Sequence, residues 1–563
     1  MTKTVIIGSI AAGATVAARL RRLDEKAQIT IYEKNEYVSS ATCGLPYYVG
    51  GVIKDRGMLL VQTVKGLEGK FNITVKNLHE VVRIIPGENR IEVRNLSDGN
   101  IFSDSYDNLI IATGTRQNIP SGINPENKRI FTLKTVQDAD QIAAAAGEKE
   151  KQELTALVYG SGFVGVETAE NLKKRGINTV LVGRGPHALK HFDSDLAALI
   201  DLQIKVSKIR YLQNTTVTAT EQMDEQLKIS LSNGETITAD FMVLAAGIVP
   251  DSDLAAAAGI ELNTDRSIRV DEHMRTSIPN IYAIGDVVSV SNFISEKQQH
   301  IPLAGPAYRQ ARACADSIAG LAGSAYRGCQ NTSIIKINDL TAASTGLNTR
   351  QLEQMKAGDP EFDYLSLLVS GKSHAGYYPG STPVIIKAFF SKKDGRILGA
   401  QGIGSDGIDK RIDVLAGFIR SRATYRELMD ADLCYAPPYS SANDPVNFLG
   451  FMADNYFNSL AQYVLWSEVE EQMANHNPQY TVLDVREPME TKFNSFPGAV
   501  NIPLGSLRER LDELPRDHTV AVTCAVGVRA YNAARILMQN GFKDVKVICG
   551  GMHLYRSLHW SPY

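Results

Sequence analysis

Two cysteines stand in settings that suit sulfur chemistry. Cys43 lies in the run SSATCGLPYYVGG, Ser39 to Gly51, shortly after the strand-like ITIYEK of Ile29 to Lys34. An enzyme that closes an internal redox disulfide needs a second cysteine within a few residues, and the next one here is Cys314. Cys43 must therefore pair with something external: a thiol in a mixed disulfide, a persulfide, or the oxygen of a sulfenic acid made from peroxide. Cys524 lies in TCAVGVRA, where a strand pattern ends at Val522-Thr523 and a helix pattern follows Arg529. A short loop that opens a helix aims successive backbone N–H groups at its centre, a nest for an anion. That field favours the thiolate and stabilises a persulfide on Cys524. Cys549, in VICGGM, reads as packing.

Chemistry at these sulfurs needs elements to position it. A strand (TVIIG), a turn, a helix (AGATVAARLRRL) and a second strand open the chain, and the unit recurs as ALVYG, SGFVG, VETAENLKKRG and TVLVGR. Two such units about 150 residues apart mean two dinucleotide-binding lobes. The first turn keeps two glycines of the usual pattern, Gly8 and Gly13, with small Ala11 and Ala12 between them. Glu33, ending the second strand, is placed to accept hydrogen bonds from a ribose. The second turn is complete: Gly160 makes the bend, Gly162 admits a pyrophosphate, Gly165 packs helix on strand, and Glu167 follows. Its second strand ends Val182-Gly183-Arg184, without the acid that repels a 2′-phosphate. Arg184 can pair with that phosphate, so NADPH is expected to serve at least as well as NADH. On the first helix Thr15, Arg19 and Arg22 share one face at i, i+4 and i+7. Such a face can hold phosphates.

Two further stretches complete a pattern. NLIIATGTR carries Thr113-Gly114, and IPNIYAIGDVV ends a strand at Gly285-Asp286. With the first turn and Glu33, this set resembles the pyridine nucleotide–disulfide oxidoreductase family over about residues 1 to 450. The resemblance implies FAD in the first lobe, beside Asp286, and NADPH or NADH in the second. The Cys43 stretch resembles the single-cysteine branch, whose motif is Ser-Phe-x-x-Cys-Gly-Leu-Pro-Tyr. Ser39, Cys43, Gly44, Leu45, Pro46 and Tyr47 match, Ser40 replaces the phenylalanine, and Thr42 stands where asparagine is common. That branch holds coenzyme A-disulfide reductases, coenzyme A-persulfide reductases, and NADH oxidases and peroxidases. A flavin over the sulfur and a helix N-terminus would both favour thiolate at Cys43. Thr15 and Arg22 match positions where the coenzyme A reductases bind coenzyme A, and Lys70 lies one residue from a phosphate-contacting lysine of that group. Ser39 and Thr42 complete the expected substrate site. An oxidase or peroxidase would place a histidine near the start of the first helix, and none of the ten histidines precedes His79. VSGKSHAGYYPGSTP and CYAPPYSSANDPVN resemble the family's dimerisation domain. The resemblance implies a homodimer and sets Tyr377 and Tyr435, with Tyr378 and Tyr439 as alternates, beside the partner's redox cysteine.

The last hundred residues resemble a rhodanese domain. Asp484 and Arg486 end a strand, FPGAVNIPL matches HIPGAxNIPL except at Ser495 and Phe496, and CAVGVRA is the active loop with Cys524 and Arg529. A phosphatase loop is the alternative, but that family prefers a longer loop with arginine last.

The chain is thus expected to be α/β, with two Rossmann-like dinucleotide-binding domains, an α+β dimerisation domain and a C-terminal α/β rhodanese domain. The boundaries read 1–150 and 266–325 for FAD, 151–265 for NAD(P)H, 326–450 for dimerisation and 461–563 for rhodanese. Hydrophobic content of 44%, charged content of 21% and a net charge of −3 give no sign of a nucleic-acid binder. No secretory leader pattern and no run of 18 apolar residues occur, so a membrane is not an expected partner and the cytoplasm is the expected compartment. Scattered cysteines fit a reducing compartment. The expected function is NAD(P)H-dependent, FAD-dependent reduction of coenzyme A persulfide, polysulfide or coenzyme A disulfide, with the rhodanese domain handling sulfane sulfur. The alternatives are a flavin NADH oxidase or peroxidase and a non-catalytic sulfur carrier or sensor. No metal site is expected.

Overall fold

The computed structural model describes residues 2–147, 153–475 and 479–559. The expected boundary at 150/151 lies outside the described residues. The chain divides into two compact units, 1–186 with 208–329, and 187–207 with 330–563.

The first unit holds two five-stranded parallel sheets. In one, Lys3–Ile7 lies between Asn108–Ile111 and Gln28–Glu33, flanked by Ile281–Ala283 and Thr74–Asn77. In the other, Thr155–Tyr159 lies between Asn178–Val182 and Phe241–Leu244, with Arg210–Leu212 and Ile130–Thr132 at the edges. The central strands are apolar runs because both faces are covered: Val5, Ile6, Leu157 and Val158 have no exposed surface. The unit also holds two three-stranded antiparallel sheets, one spanning His79–Ile85 to Ile101–Ser105 and one Val217–Met223 to Thr236–Ala239, and two short ribbons, Thr115–Gln117 with Ile248–Pro250 and Ser289–Ser291 with Gln298–His300. The helices Ala12–Leu23 and Phe163–Lys174 start at the two glycine turns.

The second unit holds one antiparallel and one parallel sheet. The antiparallel sheet runs Ser333–Ile337, Leu340–Gly346, Ile397–Gly404, Pro383–Ser391, Tyr364–Lys372. The parallel sheet places Thr519–Thr523 between Asp544–Ile548 and Tyr480–Asp484. The helix Pro445–Phe457, capped by Asp444, precedes it in sequence. Segment 187–207, which the sequence reading places in the NAD(P)H domain, groups with this unit. Its helix Ser194–Val206 packs on the antiparallel sheet, and a buried charge cluster ties the two together. Lys387 is 4% exposed and pairs with Asp193 at 2.9 Å and Asp195 at 2.8 Å. A lysine on a buried strand needs such carboxylates to offset its desolvation.

Candidate active sites

The first glycine turn closes tightly. Gly8 has φ +98°, and a Cβ there would overlap the Ala112 carbonyl oxygen, while one on Gly13 would overlap the Gly8 carbonyl oxygen. Ala11 takes φ +47° as the residue before the helix. A Cβ on Gly285 would lie 3.1 Å from that of Ala12, so the phosphate turn and the Gly285-Asp286 turn converge. Glu33 is buried and already accepts from Ser9 N at 2.9 Å, Ser9 Oγ at 2.8 Å, and the Asn35 amide and side chain. It therefore holds the turn with all four of its acceptor sites engaged, and a ribose hydroxyl would have to share one of them. Thr113 Oγ1 donates to the Asp251 carbonyl at 2.7 Å, and Gly114 has φ +71°. Burial pushes the Asp286 carboxyl up, against the pull of Lys134 and His300. This cradle of glycines and small residues fits the FAD that the sequence implies.

The second turn repeats the design. A Cβ on Gly160 would overlap the Ala245 carbonyl oxygen and one on Gly165 the Gly160 carbonyl oxygen, whereas Gly162 faces open space. That openness leaves room for a pyrophosphate to approach the backbone. Gly183 sits against Ser161 and Tyr211, and Arg184 is exposed at the strand end.

Cys43 occupies the short turn Thr42–Gly44 that leads into the helix Leu45–Val49. Its thiol is exposed, whereas Cys314 and Cys329 of the same unit are buried. Although its surface is open, enough protein surrounds the sulfur that desolvation raises its pKa. The carboxyls of Glu167 and Asp286 raise it further, and hydrogen bonds from the Thr42 side chain and the Cys43 amide pull it back. The protein's own groups thus hold Cys43 toward the thiol, opposite to the expected effect of a helix N-terminus. A five-residue helix has little dipole to set against two carboxyls. Glu167 is itself pushed up to about 7, by burial first, with Glu170 adding and the Tyr47 hydroxyl opposing. Tyr47 donates to Glu167 Oε1 at 3.2 Å. The sequence suggested neither this pair nor the approach of Glu167 to Cys43, because spacing carries no signal for residues 120 positions apart.

The three residues read as a phosphate face lie together on one side of the first helix. Val16, Ala17 and Leu20 are buried, while Thr15, Arg19 and Arg22 point away from the core. Arg19 is engaged by Asp316 at 2.8 Å, and Arg22 lies over the Phe71 ring at 5.3 Å. Arg21, rather than Arg22, is the buried arginine and donates to five backbone carbonyls from Asp24 to Asn72. Lys70 is exposed in the last turn of Val64–Phe71, and Ser39 takes φ +50°.

In the second unit the hydroxyls of Tyr377 and Tyr435 meet at 3.1 Å. Both rings are exposed, 75% and 49%, so the pair faces outward rather than into a core. Tyr439 and Tyr378 are exposed too and carry no hydroxyl bond to this pair.

Cys524 is buried and accepts from Gly527 N at 3.1 Å, where Gly527 has φ +130°. One amide of the loop, that of Gly527, thus points at the sulfur. Arg529 is clamped by Glu490 through bonds of 2.6 and 2.7 Å, so it braces the loop from outside. Glu490, whose role the sequence did not suggest, is pushed down to about 2 by that bond. Arg486 pairs with buried Asp484 and donates to the Asn494 carbonyl. Among the described residues no group of three His, Cys, Asp or Glu is placed to hold a metal ion, and no helix is long and apolar enough to cross a membrane.

Two dinucleotide turns in the same unit as exposed Cys43, and a separate loop that turns the Gly527 amide onto Cys524, define a two-nucleotide thiol oxidoreductase joined to a sulfur-handling module. Residues 2–311 match the pyridine nucleotide-disulphide oxidoreductase family, 332–445 its dimerisation domain and 465–558 a rhodanese-like domain. This chain belongs to the pyridine nucleotide-disulphide oxidoreductase family. It is 33% identical over 453 residues to the coenzyme A disulfide reductase of Staphylococcus epidermidis, covering 80% of this chain and 100% of that one. The reduced CoADR-RHD protein of Bacillus anthracis superposes with TM-score 0.93 at 42% identity, over 99% of this chain and 98% of that one. A NAD-dependent persulfide reductase from A. fulgidus superposes with TM-score 0.89 at 33% identity, over 99% of this chain and 100% of that one.

Proposed function

We infer that this chain is an NAD(P)H-dependent reductase of coenzyme A disulfide and coenzyme A persulfide, fed with sulfane sulfur by its own rhodanese-like module. The observation that carries this reading is Cys43, exposed while the other described cysteines of its unit are buried. Likeness over nearly the whole chain to a persulfide reductase and to CoADR-RHD supports the substrate class. FAD, when bound in the first lobe, supplies the passage of an electron pair from NAD(P)H to sulfur.

The chain's own residues do the rest. The Cys43 thiolate attacks one sulfur of the substrate, the S–S bond breaks, and a thiol (from disulfide) or hydrosulfide (from persulfide) leaves as a mixed disulfide forms. Two electrons return Cys43 and release the second thiol. The net reaction consumes one NAD(P)H and one proton per S–S bond. Tyr377 and Tyr435 supply hydrogen bonds to departing thiolate from the partner subunit of a homodimer. Cys524 takes sulfane sulfur from a donor such as thiosulfate: its thiolate attacks, sulfite leaves, and the persulfide passes to a thiol.

The test uses two variants. Cys43→Ser is expected to keep bound flavin and lose NAD(P)H consumption with both substrates. Cys524→Ser is expected to lose sulfur transfer from thiosulfate while reducing coenzyme A disulfide normally. Undiminished reduction by Cys43→Ser, or oxygen as the preferred acceptor, would overturn the reading.

A further inference from the structure

The Cys524 loop is bordered by charge that the chemistry above does not use. Arg486 and Arg529 are neutralised by Asp484 and Glu490. Lys372 and Arg556 are exposed and have no ion pair among the described residues. Arg556 lies one turn beyond His553 on the helix Gly551–His559. The first turn of that helix donates to the loop itself: Met552 N to the Cys524 carbonyl at 2.8 Å and His553 N to the Ala525 carbonyl at 3.0 Å.

Lys372 arrives from the other sheet. It ends the strand Tyr364–Lys372, against which the last helix packs; a Cβ on Gly550 would lie 2.8 Å from Leu368 Cδ2. Its Nζ folds back over Gly376, 2.6 Å from where a Cβ would stand, and Tyr377 is the next residue. One ammonium therefore sits beside the tyrosine loop, at the end of a strand that packs against the His553 helix. Burial first, then Arg486, Arg556 and Lys372, keep His553 below its ordinary value, against Glu490. A neutral imidazole there is free to donate or accept.

We propose that Lys372, with His553 and Arg556, forms a binding station for an oxyanion carried by the sulfur substrate, set between the Tyr377–Tyr435 pair and the Cys524 loop. It rests on the reading that Cys524 carries sulfane sulfur. Two cations without carboxylate partners suit a multiply charged group, which gains charge-assisted hydrogen bonds from both. The group is either the sulfonate-like end of a thiosulfate-type donor or a phosphate of a nucleotide-bearing thiol acceptor.

Calorimetric titration of the full-length Cys43→Ser, Cys524→Ser chain with thiosulfate and with coenzyme A separates these sources and needs no turnover. Adding Lys372→Ala is expected to weaken one of the two ligands about tenfold, with Lys372→Arg restoring most of the affinity and Arg556→Ala weakening the same ligand. Loss for thiosulfate alone assigns the donor, and loss for coenzyme A alone assigns the phosphates. Raising the salt should reduce the difference, because exposed charges are screened. Unchanged affinity for both ligands in folded Lys372→Ala and Arg556→Ala chains would overturn the station. Failure of the wild-type chain to move sulfur from thiosulfate to a thiol would instead overturn the sulfur-carrier reading.

Discussion

Single residues set the reactivity of Cys43. Ionised Glu167 opposes the thiolate, so Glu167→Gln is expected to lower the Cys43 pKa. Alkylation of Cys43 near pH 7 should then speed by roughly three- to tenfold, read as a pseudo-first-order rate. The same carboxyl leaves a stability signature. Its folded value of about 7 lies above its ordinary 4.5, so between these values the folded chain holds a proton that the unfolded chain has released. That contribution is present below 4.5 and fades as pH rises through 7. Denaturant midpoints measured across this window should show a fall that Glu167→Gln reduces. Arg184 is the matching residue at the nucleotide lobe. Arg184→Ala should raise KM for NADPH by about tenfold and leave NADH nearly unchanged, the scale of one charge-assisted contact to a 2′-phosphate. A native preference for NADH that the substitution does not alter would remove Arg184 from the site.

At the scale of elements, the turn of the second lobe separates folding from binding. Gly165 and Gly162 are three residues apart, yet a Cβ meets a backbone oxygen at the first and nothing within 4 Å at the second. Gly165→Ala should therefore destabilise the strand–helix contact and lower the thermal midpoint of the chain. Gly162→Ala should leave the midpoint in place and weaken NAD(P)H binding, because its methyl occupies space that a pyrophosphate needs. Equal thermal losses in both variants would show that the turn tolerates neither side chain for steric reasons. The Cys524 loop follows the same logic with its own parts. Gly527 at φ +130° turns an amide onto the sulfur, and the Glu490–Arg529 clamp holds the start of the following helix.

The whole molecule matters because the exposed Cys43 and the exposed tyrosine pair lie in different compact units. Tyr377 and Tyr435 present their hydroxyls outward, 3.1 Å apart, on the module that matches the dimerisation domain. A heterodimer of a Cys43→Ser chain with a Tyr377→Phe, Tyr435→Phe chain is expected to regain one complete site. Its coenzyme A disulfide reduction should approach half the wild-type rate, well above either parent homodimer. A verified heterodimer no more active than its parents would mean that each subunit works alone or that the tyrosines only pack.

The sequence by itself determined the parts that depend on short stretches of chain. Gly8, Gly13, Gly160 and Gly165 are required wherever a strand turns directly into a helix, because backbone oxygens fill the space of a Cβ. Cys524 three residues before Gly527 likewise marks a loop, and the Gly527 amide points at its sulfur. Helix Ala12–Leu23 and the strands around it follow from local apolar periodicity, which needs no partner to be read. Only the tertiary structure decided how these parts bias one another. Cys43 is held toward its thiol by burial and then by Glu167 and Asp286, while Tyr47 donates to Glu167 and favours its ionised form, residues brought together across 120 positions or more. Segment 187–207 leaves its neighbours in sequence because its helix packs on the antiparallel sheet, where Lys387 pairs with Asp193 and Asp195. Burial and charge act through space, so a pKa or an ion pair depends on what the fold brings near, and spacing along the chain does not encode it.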